Sequence, residues 1–140
     1  MIQADKIAAV MGITSRIHSL FDLSEAVARG LPKRTLMITV KHFIHDASRI
    51  KAISNQLVPS ATFKRRTTLL SPQESERVER LARAYATALD VWDDEEDTRQ
   101  FLITPHAMLN QKCPMDVAFT ELGARQIEAI LWNIKYGLPA

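Results

Sequence analysis

A chain of 140 residues with 46% apolar and 24% charged side chains can hold one ordinary domain or two small ones, has apolar content enough for a real core, and is too apolar to be a disordered tail. No apolar run approaches the ~18–20 residues that span a bilayer, and no basic segment followed by an apolar one opens the sequence. The lone Cys113 forms no internal disulfide, so nothing calls for an oxidising compartment, and a cytoplasmic location is expected.

The net charge of +2 conceals a division. Residues 1–68 carry 11 Lys/Arg against 4 Asp/Glu, whereas residues 69–140 carry 7 against 12. A basic half joined to an acidic half suggests two tasks, with polyanion binding the first candidate for the basic one. The chain is therefore divided at 68/69.

Along the chain, Ile7, Val10 and Met11 stand at helical spacing before Gly12 interrupts them. Asp22 or Ser24 is placed to cap a short helix through Ala28, with Gly30 as a left-handed stop. Pro32 suits the first turn of a helix that buries Leu36, Val40, Phe43 and Ile44, with Met37 beside them. Asp46 caps a further helix from Ala47 to about Gln56, with Ile50 and Ile53 inward. Pro59 and Ser60 then restart the chain into a short cationic helix. Two short helices in succession, the second rich in cations, have the layout of a helix-turn-helix. The usual turn glycine is missing, so Asn55, Gln56 or Leu57 is expected to bend there.

Ser71-Pro72-Gln73-Glu74 is a capping-box pattern that opens the longest helix, to about Val91. Val78, Leu81, Ala82, Tyr85, Leu89 and Trp92 mark its inner face. Asp93 or Asp94 caps the next helix, which carries Phe101 and Leu102 and ends at Thr104-Pro105. A short turn follows from Pro114 to Thr120. The final helix runs from about Glu121 to Tyr136, burying Ile127, Ile130, Leu131 and Ile134 before Gly137 and Pro139 stop it. No segment reads as a strand, and an all-α fold is expected.

Lys64, Arg65 and Arg66, with Ser60, Thr62 and Thr67, suit nucleic-acid work. Arginine offers bidentate donors to guanine edges or phosphates, lysine a point charge, and hydroxyls further phosphate contacts. Phe63, in mid-cluster, is expected to pack the helix down rather than stack on a base. The acidic run Asp93 to Asp97 lacks the alternating oxygen spacing and glycine of a calcium loop, and suits the positive end of a helix. His42 and His45 share a helix face without a third ligand at matching spacing, so no metal is expected. Cys113 near His106 lacks an orienting group, and the four glycines are too scattered for a phosphate loop. Neither an enzyme nor a cofactor is expected.

From Leu70 onward the sequence resembles the toxin-binding domain of Xre/MbcA/ParS-type antitoxins, which follows a helix-turn-helix of the kind described. The marks begin with Thr62-Phe63 and Arg65-Arg66, then Leu70-Ser71-Pro72, Glu74-Ser75, Arg77 and Arg80. They continue with Ala88, Val91-Trp92 and an acidic pair, then Phe101-Leu102 where the family usually has Trp-Leu. Thr104-Pro105, Leu109, Pro114-Met115-Asp116, Thr120, Gly123, Ile127, Leu131, Ile134 and Gly137 complete the pattern. Where the family tends to have glycine, Asn110 is expected to take the left-handed conformation. Thr98 stands where a small alanine is usual, and His106 where asparagine is common.

The resemblance implies a helix-turn-helix DNA-binding domain at 1–68 and a toxin-binding domain at 69–140. It implies an antitoxin of a type II pair, whose partner is a NAD-consuming RES-domain toxin silenced by occlusion of its active site. The segment Lys135, Tyr136, Gly137, Leu138, Pro139 and Ala140 would reach that site. Ser60, Thr62, Lys64, Arg65 and Arg66 would meet promoter DNA. A homodimer is expected, because one short recognition helix reads too few bases alone. A transcriptional regulator whose rear half only dimerises stays open at this level, as does an interaction module with a remnant helix-turn-helix.

Overall fold

The computed structural model describes residues 1–13 and 16–137. The helices are α1 (Ala4–Met11), α2 (Leu20–Arg29), α3 (Arg34–Phe43), α4 (Ala47–Leu57) and α5 (Ser60–Arg65). They continue with α6 (Pro72–Trp92), α7 (Glu95–Ile103), α8 (Pro114–Val117) and α9 (Glu121–Tyr136), with a 3₁₀ turn at Ala107–Leu109. Among the described residues no strand forms, only two isolated bridge pairs, Pro32 with Leu69 and His106 with Lys112. The fold is all-α.

α6 is the axis. Its 21 residues make a rod about 31 Å long, and it packs against α1, α2, α3, α4, α7 and α9. Ala82, Ala84, Ala86 and Ala88 keep it slim enough for neighbours on several faces, while Tyr85 supplies bulk. The Tyr85 ring meets Phe43 edge-on at 5.4 Å and lies 4.8 Å from the His42 ring. Full burial of an aromatic ring of this size contributes about 1.5–3 kcal/mol. One continuous core runs from Ala4 on α1 to Leu131 on α9, so the basic and acidic halves share an interior.

The caps explain where the helices start. The Ser71 side chain accepts from the Glu74 N–H, and the Glu74 carboxylate accepts from the Ser71 N–H at 2.8 Å, closing the box. Asp46 accepts from the Arg49 N–H, Asp94 from Asp97, and Thr120 from Gly123. Asp93 is instead the left-handed end of α6. Gly12 and Gly137 close α1 and α9 in the same conformation.

Several sequence expectations are corrected. α2 begins earlier than expected: Ser19 caps it, accepting from the Asp22 N–H, while the Asp22 carboxylate accepts from the His18 N–H. Gly30 has φ 103 and ψ 126, outside the left-handed helical region. A Cβ there would lie 2.3 Å from the Leu70 carbonyl oxygen, so the glycine serves close approach as well as the turn. That approach exists because residues 31–33 run alongside 68–70, with Leu70 N–H donating to Leu31 O and Lys33 N–H to Thr68 O. Pro32 belongs to this pairing and not to the first turn of α3, which starts at Arg34. Met37 is on the exposed side of α3, and Thr35 and Thr39 take its inner positions. Ile134 is 45% exposed, because α9 has run past the core by its last turn.

Candidate nucleic-acid interface and partner face

α4 and α5 form the helix pair that the cation spacing predicts. α4 does not bend at Asn55, Gln56 or Leu57; it continues through Leu57, and the chain turns at Val58 and Pro59. Both turn residues have negative φ, −142 and −53, so no glycine is required. Leu57 and Val58 are buried beneath the turn. The Asn55 side-chain oxygen accepts from the Ser60 N–H at 2.7 Å, joining the end of α4 to the start of α5. Arg77 on α6 donates to the Leu57 carbonyl at 3.0 Å, satisfying a helix-end acceptor.

The five candidate residues of this region divide into two groups. Ser60, Lys64 and Arg65 are exposed, and Thr62 is half-buried. The Arg65 guanidinium lies 3.3 Å from the Thr62 hydroxyl, which it meets as a donor. Arg66 is elsewhere: Nε and Nη2 each donate to a Glu74 oxygen at 3.0 Å, a bidentate pair. Glu74 is only 5% exposed, and the Arg66 guanidinium, followed by the Ser71 N–H, holds its carboxyl below the usual range. Phe63 packs against the core and carries Lys33 Nζ over its ring at 4.4 Å. The packing role expected for Phe63 is what its position gives.

At the far end of α6, Asp90 receives Lys6 at 3.4 Å and also pairs with Lys135. The Lys135 ammonium, then Lys6, holds the Asp90 carboxyl below its ordinary value. Lys135 thus ties the last turn of α9 to α6. Beside it, the Trp132 and Tyr136 rings meet at a 45° tilt with centroids 4.5 Å apart and remain 49% and 53% exposed. Gly137 ends the helix; Leu138, Pro139 and Ala140 lie outside the described residues. Sequence reasoning missed the Trp132 face, although Trp132, Tyr136 and the exposed Leu122 and Ala129 follow helical spacing.

Between the two ends, Arg83 gathers Glu79, Glu121 and Glu128 at 3.2–3.3 Å, and Arg80 meets Glu121 at 3.2 Å. The pairs with Glu121 and Glu128 fasten α9 along α6, while the one with Glu79 lies within α6. Burial raises the Glu79 pKa, opposed by Arg83. The Cys113 thiol donates to the Ile103 carbonyl, and burial pushes its pKa up, the reverse of nucleophile activation. Among the described residues no group of three or more His, Cys, Asp or Glu is placed to hold a metal.

An all-helical chain with a two-helix unit, cationic on its second helix, carried on a long shared helix has the architecture of a helix-turn-helix protein with an appended helical domain. Residues 22–83 match the family model for the antitoxin Xre-like helix-turn-helix domain. Residues 87–137 match that for the antitoxin Xre/MbcA/ParS C-terminal toxin-binding domain. Together the two matches span most of the chain, and the protein belongs to this antitoxin family. No curated protein matches the chain closely enough to count as a relative.

Proposed function

We propose that this antitoxin neutralises a RES-domain, NAD-consuming toxin by covering its active site, and represses its own promoter as a cytoplasmic homodimer. The observation carrying this reading is the adjacency of two antitoxin domain matches on a single core. Cations are exposed on α5, and an aromatic face is exposed on α9. The work divides near residue 68, with the front half for DNA and residues 69–140 for the toxin. Because the core is continuous across that point, the division is one of surface and not of folding.

On the front, Lys64 and Arg65 lead the DNA contacts, with Ser60 and Thr62 as hydroxyl partners to phosphate. Arg66 contributes to this face from behind α5. On the rear, residues 135–140 enter the toxin, and the Trp132–Tyr136 pair supplies the apolar surface beside them. An aromatic pair half open to solvent is the kind of anchor that concentrates binding energy at interfaces. Co-expression with the product of the neighbouring gene tests the reading. A stable complex that prevents NAD loss supports it; free toxin activity in the presence of the folded chain ends it.

A further inference from the structure

We propose that Arg66 and Glu74 are a positioning pair that sets the angle at which α5 meets DNA, and that Arg66 makes no phosphate or base contact itself; this rests on the DNA-binding reading above. α5 has six residues and none of them is fully buried; Phe63 is its one apolar contact with the core, so packing alone fixes its angle weakly. Links from its two ends add the rest. At the front, the Asn55 side chain accepts from the Ser60 N–H. At the rear, Lys33 Nζ donates to the Arg66 carbonyl at 2.9 Å, and the Arg66 guanidinium grips Glu74 through two hydrogen bonds.

Glu74 is itself anchored. It is nearly fully buried, and one of its oxygens is already committed to the capping box of α6. The adjacent Ser75 hydroxyl accepts from the buried Leu31 N–H at 2.8 Å, and Arg77 holds the end of α4. The first two turns of α6 therefore reach the ends of α4 and α5 and the segment between α2 and α3. A planar, bidentate pair fixes direction as well as distance, which a lone ammonium cannot. Rotating Arg66 toward a phosphate would leave the Glu74 carboxylate buried beside α5 without its partner.

Charge arithmetic separates this idea from direct contact. Glu74→Gln keeps the acceptor that the capping box needs and removes one negative charge from the basic end of the protein. If Arg66 touched DNA, freeing it from Glu74 would leave binding equal or tighter. As a positioning partner, its loosening weakens binding by roughly tenfold. The probe is a duplex of the DNA immediately upstream of the chain's own coding sequence, followed by fluorescence anisotropy over ~50–200 mM salt. Glu74→Gln and Arg66→Met should each weaken binding with the slope of log affinity against log salt unchanged, while circular dichroism shows the parent's helix content. Lys64→Ala in parallel lowers that slope by about one, as a phosphate contact does. The proposal is overturned if Glu74→Gln binds as tightly as the parent or tighter. It is equally overturned if Arg66→Met lowers the slope as Lys64→Ala does. A parent protein with no salt-sensitive binding removes the DNA reading and this proposal together, a result distinct from either.

Discussion

Gly123 offers a sharp test of how the rear domain is assembled, because two well-founded rules predict opposite signs. It is the third residue of α9, and its N–H donates to the Thr120 hydroxyl at 3.0 Å. In an unobstructed helix, alanine is better than glycine by about 1 kcal/mol. Here a Cβ would stand 1.8 Å from the Val117 carbonyl oxygen and 2.9 Å from Thr120 Oγ1. Ordinary contact begins near 3.4 Å, and the obstacle is the backbone ending α8, not a side chain free to swing away. Relieving the overlap requires α8 and α9 to separate, which disturbs the buried Met115, Ala118 and Ile127. Overpacking of this kind costs about 1–3 kcal/mol and occasionally more. With a backbone obstacle we take the upper end, leaving a net loss of about 2 kcal/mol after the propensity gain. At this chain length that lowers the thermal midpoint by roughly 6–10 °C. Thermal unfolding followed by circular dichroism measures it. A midpoint unchanged or raised for Gly123→Ala would refute the close packing of α8 on α9.

Other expectations follow from single features. Asn110 and Gln111 have φ of 55 and 63; Gln111→Gly relieves a left-handed strain of about 1 kcal/mol and should raise the thermal midpoint. Lys64→Ala and Arg65→Ala should each weaken DNA binding by about 1–3 kcal/mol, with the lysine effect uniform across sequences and the arginine effect sequence-dependent in anisotropy titrations. Asp90 has a depressed pKa, so its pairing with Lys135 and Lys6 stabilises the fold above the ordinary carboxylate value of 3.8 and is lost as pH falls through the lower folded value. Asp90→Asn should therefore flatten the fall of stability at acid pH, as read from denaturant midpoints at successive pH values, and should lower stability near neutrality.

How much of this was legible depends on the range of the interaction. Ser71, Asp46, Asp94 and Thr120 cap helices through hydrogen bonds three residues away, so the local pattern was enough to place these helix starts, although it left Asp93 open beside Asp94 and did not name Thr120. The inner faces of α6 and α9 follow from periodicity for the same reason. Asn110 in the left-handed region follows from the missing glycine and the tolerance of asparagine for positive φ. Failures arose where distant segments decide. Gly30 answers to the Leu70 carbonyl forty residues later, and Pro32 to Leu69, neither of which has a local signal. Ile134 fits the apolar stripe of α9, yet the core it should meet has ended.

The basic cluster shows the same limit more finely. Lys64, Arg65 and Arg66 are indistinguishable as a run of cations, and only the fold separates two exposed side chains from one gripped by Glu74. The capping-box pattern named Glu74 for one role, and its second partner lies outside the span of that motif. Conversely, the turn between α4 and α5 lacks glycine because Val58 and Pro59 make it in extended conformations, a solution that a search for the usual glycine does not reveal.

Removing residues 135–140 tests the central claim, that one chain carries a DNA face and a separable toxin face, most directly. The truncated protein should bind the upstream duplex with the parent's affinity and salt slope while no longer protecting NAD against the co-expressed toxin. Protection undiminished by the truncation would contradict the account.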